Sequence, residues 1–396
     1  MLLEALQIIF ALALGTLAGT ITGLIPGLHI NLIAAFTITL AIDNPLLFAC
    51  FIVAMAITHT FLDFLPSIFL GLPQEDTALS LLPGHRLLLK GYGYAAAKLT
   101  LIGSFYGFIV ALIFLPLYFK FLPLAWPYLK KTVPFFLLAI SFWLILKENK
   151  KILALITFLL SGALGILTLN FKTLSQPLLP LFTSLFGLPL LFLSIKNKVK
   201  IKKQKIVELK LKRSEGIKPV FAGLLSSTLV SIYPALGPGQ AAIIGSDLFG
   251  RLSTRSFLIL LGSINTIVML FSFISAYAIN KPRTGIAVAL LNILGEITLK
   301  QLLFLLVIAF LAACFSVFIF IFIAKKIARN IGKINYSFLC LISLIFIIAI
   351  NLFVSGVYSL IILATGFFIG LIPNIKGLRR IHLMGCLVLP VLSFYF

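Results

Sequence analysis

Apolar runs of about twenty residues, each long enough to cross a bilayer core, recur from Leu2 to Phe396. Between them there is no polar stretch large enough to fold on its own. With 61% hydrophobic residues, 11% charged residues and a mean hydropathy of +1.18, a chain of 396 residues cannot be water-soluble. It reads as an all-α polytopic membrane protein. In a soluble chain the net charge of +22 would suggest nucleic acid. Here the Lys and Arg residues sit between apolar runs, the pattern of the positive-inside rule with attraction to anionic headgroups, so no nucleic-acid partner is expected. Cys50, Cys314, Cys340 and Cys386 lie in or beside apolar runs without metal or redox spacing and read as packing residues. The opening MLLEALQIIF lacks a basic region and reads as a first membrane helix rather than a cleaved signal.

The chain repeats itself at an offset of 208 residues. Gly15–Phe36 (GTLAGTITGLIPGLHINLIAAF) then falls on Gly223–Ile244 (GLLSSTLVSIYPALGPGQAAII), matching Gly15 with Gly223, Thr20 with Thr228 and Pro26 with Pro234. Both copies show an apolar helix with small residues at every fourth position, a Pro/Gly-rich break and a second apolar segment of about a dozen residues. Secondary transporters build midplane sites from such broken or re-entrant pairs. The hydropathy pattern predicts helices at Leu2–Leu24, Pro45–Leu70, Tyr94–Tyr118, Pro134–Leu146, Lys151–Leu169 and Leu178–Ile195, with a short segment at Asn31–Ile42. A matching series covers Pro219–Ile232, the short Gly239–Gly250, Ser256–Ile279, Gln301–Ala324, Tyr336–Phe353, Tyr358–Ile372 and His382–Phe396.

The expected organisation is a first transmembrane repeat at 1–195, a basic cytoplasmic linker at 196–218 and a second repeat at 219–396. Each repeat holds one broken pair plus about five membrane helices. Loop charges set their relative orientation. Lys147–Lys151 carries three lysines where its counterpart near Ser355 and Gly356 has none, and Asn374–Arg380 is more basic than the loop around Lys172. The Asp43–Asn44 turn has no basic residue where its counterpart holds Arg251 and Arg255. Equivalent loops thus fall on opposite faces, as in an inverted repeat. Lys120, Lys130 and Lys131 run against this scheme, since it places them outside and their counterparts Lys325, Lys326, Arg329 and Lys333 inside.

Pro and Gly at Pro26-Gly27 and Gly237-Pro238-Gly239 free backbone groups where no water can hydrate them. Such backbone is tolerated only inside protein or along a wet cavity. With Gly23, His29, Asn31, Pro234 and Gln240 these residues form the candidate substrate site, the helix N-termini offering N–H groups to an anion. The small residues Gly15, Gly19, Gly23, Gly223, Ser227 and Ser231 suit close helix packing. His59 and Asp63, one helical turn apart beside Thr58, are intramembrane ionisable groups. They fit a proton relay, a cation site such as Na+, or a mutually neutralising pair. With a register slip of one or two residues, the second copy offers Ser263, Asn265 and Thr266 here, polar but uncharged. Asp247 is a further candidate for the coupling ion, with Arg251 as an alternative salt-bridge partner. Nothing suggests a resident cofactor.

The elements G-x-x-P-G-L at Gly23–Leu28, P-x-L-G-P at Pro234–Pro238 and T-A-L-S-x-L-P-G-H at Thr77–His85, with Lys90-Gly91 following, together resemble TctA. TctA is the large membrane subunit of tripartite tricarboxylate transporters, and the likeness is to its shorter archaeal-type relatives. It spans nearly the whole chain. Departures are His29-Ile30-Asn31, where the family repeats a Gly-Pro, and Ala235 in place of a Gly. The resemblance implies cation-coupled carboxylate uptake with a small membrane subunit and an extracytoplasmic solute-binding protein as partners. The expected function is secondary-active transport of a small anionic solute by alternating access, in a multi-pass protein of the cell membrane that is not an enzyme. An integral-membrane enzyme lacks its constellation here, with no HExxH or GxSxG and ten scattered acidic residues. A passive channel would conduct without a coupling ion. Homodimerisation is compatible with the sequence.

Overall fold

The computed structural model describes residues 2–25, 44–71, 81–196, 201–207, 211–233, 236–250, 252–333 and 335–396. Among these residues all regular structure is helical, and nine helices are long and apolar enough to cross a membrane. The chain is therefore an all-α, multi-pass membrane protein.

In chain order, α1 is Leu2–Leu24, α2 Pro45–Leu62, α3 Phe64–Phe69, α4 Leu81–Leu89, α5 Gly93–Leu146 and α6 Lys151–Leu169. Then α7 (Leu178–Phe182) passes through a π-turn at Thr183–Gly187 into α8 (Leu188–Lys196). The second half holds α9 (Arg213–Ile232), α10 (Pro238–Leu248), α11 (Thr254–Ile279), α12 (Gly285–Leu294) and α13 (Leu299–Asn330). After a 3-10 turn at Ile331–Lys333 come α14 (Tyr336–Ser355) and α15 (Ser359–Lys376). A 3-10 turn at Arg380–Met384 leads into α16 (Gly385–Tyr395).

Three features differ from the sequence reading. Tyr94–Tyr118 and Pro134–Leu146 are not separate helices joined by an outer loop at Lys120, Lys130 and Lys131. They form the single 54-residue helix α5. At 1.5 Å per residue that is about 81 Å, far beyond a bilayer core of about 30 Å, so α5 cannot be a straight membrane rod. Pro116, Pro123, Pro127 and Pro134 lie within it and supply the bending points. Between the predicted helices, the stretches Gly71–Lys98 and Asn280–Lys300 contain the further helices α4 and α12. The helix expected at Leu178–Ile195 is interrupted by the π-turn. The short segment Asn31–Ile42 lies outside the described residues.

The helices α2, α3 and α11 form the centre. In the most apolar windows, 94% of α11 is buried, against 17% of α14, which lies at the periphery. Lipid offers helices no hydrophobic reason to associate, so close backbone packing has to supply it. A Cβ on Gly19 would sit 2.7 Å from Thr58 Cβ, and one on Gly23 2.9 Å from Leu62 Cβ, so α1 lies directly on α2. In the second half Gly223 meets Ser263 of α11, and Ser227 Oγ donates to Ile264 O at 3.5 Å. Across the halves, Gly107 of α5 abuts Ser263, and Ser104 Oγ donates to Gly262 O at 3.1 Å.

Candidate functional site

Pro66 has no N–H for the carbonyl of Leu62, so the helix started by Pro45 loses a bond there. It passes through one turn residue, Asp63, which keeps helical dihedrals and its bond to His59 O, before continuing as α3. The turn places a carboxylate that is 1% exposed at the centre of the molecule. Asn265 of α11 donates from Nδ2 to Asp63 Oδ2 at 2.8 Å and to the Thr60 carbonyl at 3.2 Å. Thr60 Oγ1 lies 3.5 Å from Thr266 Oγ1. One turn up α2, His59 Nδ1 is 3.0 Å from Thr22 Oγ1 of α1. Thr58 Oγ1 accepts from Ser316 Oγ of α13 at 3.1 Å. Of the coupling-ion candidates read from sequence, Thr58, His59, Asp63, Asn265 and Thr266 thus lie in one buried polar seam joining the two halves, and Asp247 does not. Thr22 and Ser316 are members that the sequence reading missed. A lone hydroxyl in an apolar helix normally bonds its own preceding turn, so neither carried a signal.

The second break is built differently. Helix α9 ends at Ile232, and after the break α10 begins at Pro238, where a missing N–H is harmless. Gly237 N donates to Gln240 Oε1 at 2.6 Å, so Gln240 caps its own helix start. Gly239 lies in the first turn of α10 and is buried. With eleven residues α10 is about 16 Å long, roughly half a bilayer core. Arg283 holds the other side of the break. Its Nε donates to Val230 O at 3.0 Å, and its Nη2 donates to Val230 O and to Tyr233 O, both at 2.6 Å. A cation on the last carbonyls of a helix opposes its negative end. Burial lowers the Arg283 pKa to about 10. Tyr233 stacks on Phe136 of α5 at 4.2 Å, and its hydroxyl is 3.0 Å from Thr132 Oγ1. Nothing in the sequence marks the carbonyls that Arg283 reaches.

Gly23 is a helix-contact residue, with the backbone of His59 and Asp63 directly against it. Pro26, Gly27, His29, Asn31 and Pro234 lie outside the described residues. Asp247, near the end of α10, belongs to a separate neighbourhood. Its carboxylate is 2.6 Å from Lys147 Nζ, while Arg251, the partner considered from sequence, is outside the described residues. Lys147 also lies over the Trp143 ring at 4.7 Å. Together with Phe136 and Ile140 these residues line an open cleft of about 480 Å³ between α5 and α10.

The loop after α5 is joined to the second half throughout. Glu148 Oε2 accepts from Arg379 Nε at 2.7 Å and lies 3.2 Å from His382 Nε2. Lys150 Nζ donates to Lys376 O at 2.8 Å. Burial alone would raise the Glu148 pKa, but the hydrogen bonds from Arg379 and His382 outweigh it and hold the carboxyl below the ordinary glutamate value. Linker residue Lys205 N donates to Gly91 O at 2.8 Å, and Gln204 bonds Gly93 N and Leu88 O. The linker therefore lies against the end of α4.

Comparison with known proteins agrees with this architecture. The profile of the tripartite tricarboxylate transporter TctA family matches residues 9–385. An uncharacterized protein of Methanocaldococcus jannaschii is 29% identical over 400 residues, covering 97% of this chain and 98% of that protein. No solved structure matches significantly.

Proposed function

The chain belongs to the tripartite tricarboxylate transporter TctA family, a family of membrane transporters and not of enzymes, and from that premise we propose cation-coupled uptake of a small carboxylate by alternating access. The observation that carries the proposal is Asp63, a buried carboxylate at a helix interruption, hydrogen-bonded by Asn265 from the opposite half. An ionisable group at such depth is retained for function, and its position between halves makes its surroundings depend on how they are arranged. Asp63, with Thr58, His59, Asn265 and Thr266, forms the site of Na+ or H+. Asp247, paired with Lys147, acts as a contact between α10 and the long helix α5 and is a second coupling candidate.

The substrate site lies between the two breaks. Gly23, Pro26, Gly27, His29 and Asn31 supply one side, and Pro234, Gly237, Pro238, Gly239 and Gln240 the other. The two repeats, 1–195 and 219–396, have inverted topology, with 196–218 as a cytoplasmic linker. The joining of Lys147 and Glu148 to Asp247 and Arg379 supports this orientation, since positive-inside counting assigns both loops to the same face. A small membrane subunit and an extracytoplasmic binding protein complete the system in the cell.

The test is uptake of radiolabelled citrate and succinate into proteoliposomes containing this chain, under imposed Na+ or proton gradients. Gradient-dependent accumulation that is abolished by Asp63→Asn is expected. Flux that merely equilibrates, with any gradient, would instead identify a channel.

A further inference from the structure

Arg380 opens the 3-10 turn before α16 and is 4% exposed. Its Nε donates to Asn374 Oδ1, a neutral acceptor, at 2.9 Å. Its Nη1 is buried and has no hydrogen-bond partner among the described residues. A charge removed from water normally acquires an opposite charge or a full set of hydrogen bonds. Arg380 has neither. The groups that would ordinarily serve are committed elsewhere. The Glu148 carboxylate, in the other half of the sequence but next to this turn, accepts from Arg379 and sits against His382. At the end of α15, the Lys376 carbonyl accepts from Lys150.

The surroundings add positive charge. Burial, with a smaller contribution from the Arg86 guanidinium, lowers the Arg380 pKa to about 9. Arg380 in turn adds to the lowering of the His85 pKa, whose main cause is burial. The charge of Arg86, on α4 of the first half, is thus felt at Arg380 of the second. No acidic partner of Arg380 is found among the described residues. A buried, incompletely bonded guanidinium with a second guanidinium acting on it makes a site that an anion would complete, and a planar carboxylate suits its donors.

We propose that Arg380, with Arg86 beside it, forms a subsite for a carboxylate of the transported solute, between α4 and the 3-10 turn Arg380–Met384. This rests on the transport reading above and extends it to a residue on which that reading does not depend. Because α4 and the turn belong to opposite halves, a carboxylate bound there would couple occupancy to their relative position.

The experiment is thermal unfolding of the purified full-length chain in chloride buffer, titrated with citrate and with succinate. For the wild type, Tm is expected to rise with the logarithm of the concentration of at least one of them. Arg380→Met is expected to show no such rise. Without carboxylate it should melt at or above the wild-type Tm, because it replaces an unsatisfied buried charge with an apolar chain of similar length. Arg380→Lys, which keeps the charge without the planar fork, should respond with affinity weakened about tenfold or more. A wild type unresponsive to both compounds, an Arg380→Met variant that responds like the wild type, or one that melts well below it in chloride, would each overturn the subsite. Uptake separates this from the transport reading. Undiminished accumulation in Arg380→Met overturns the subsite alone. Stabilisation by carboxylate without gradient-driven flux in the wild type overturns transport alone.

Discussion

The helices α2–α3 and α11 stand about 208 residues apart and share a setting but not a chemistry. Each lies at the centre, and each is packed through small residues by the helix that precedes the adjacent Pro/Gly break, α1 in one case and α9 in the other. Their difference is concentrated in one turn. Where the first has Asp63 and Pro66, the second has Phe271 and Ile274. Proline removes a helical donor and the first element is interrupted, whereas α11 runs unbroken for 26 residues. Phe271 stacks on Tyr118 at 4.0 Å, in an apolar contact. A duplicated packing scaffold thus holds an ionisable joint in one copy and a hydrocarbon splint in the other.

The sharpest way to break the shared part is Gly19→Leu. Gly19 meets the Met55 backbone and Thr58 Cβ, and neither can retreat. Its counterpart in the second half, Ser227, already carries a side chain. Overpacking against backbone should cost at least about 3 kcal/mol, and size-exclusion profiles should show loss of folded protein. Ser227→Ala should change stability by no more than about 1 kcal/mol.

The differing part is tested by Pro66→Ala, which restores the donor missing at the joint. Stability should rise or hold, while gradient-driven uptake falls at least about tenfold, because the restored bond to the Leu62 carbonyl stiffens the helix beside Asp63. Uptake unchanged by this substitution would remove the interruption from the mechanism.

Asn265→Ala leaves both helices intact but strips a donor from the Asp63 carboxylate. A hydrogen bond to a charged group is worth about 1.5–3 kcal/mol, so the concentration of coupling cation for half-maximal uptake should rise roughly 10- to 100-fold. The smallest effect belongs to Phe271→Leu. Loss of the stack on Tyr118 should lower stability by about 1 kcal/mol, seen as a reduced Tm, with the cation dependence of uptake unmoved. A shifted cation dependence would show that the second copy also takes part in coupling.

Much of the architecture was legible because it follows from solvent alone. A bilayer requires long apolar helices and interior ionisable groups are rare in it, so runs of hydrophobic residues mark the spans and His59 and Asp63 stand out. The stripes at Gly15, Gly19 and Gly223 were readable for a similar reason, since close approach of helices in lipid selects small side chains. The unity of α5 was not readable. Four prolines and three lysines are local arguments for a loop, and only contacts with the rest of the molecule decide whether a helix persists through them.

The partners of individual polar groups were decided wholly by the tertiary structure. Sequence offered Arg251, which lies outside the described residues, as a partner for Asp247, and the chain path also brings Lys147 to it across a gap of 100 residues. Arg380 looked like one more loop cation, and its burial beside α4 became visible only with the fold. Local sequence sets helix, break and burial tendency through short-range sterics and transfer free energy. Hydrogen bonds and ion pairs act over a few ångströms, so which charges meet depends on how distant segments are brought together.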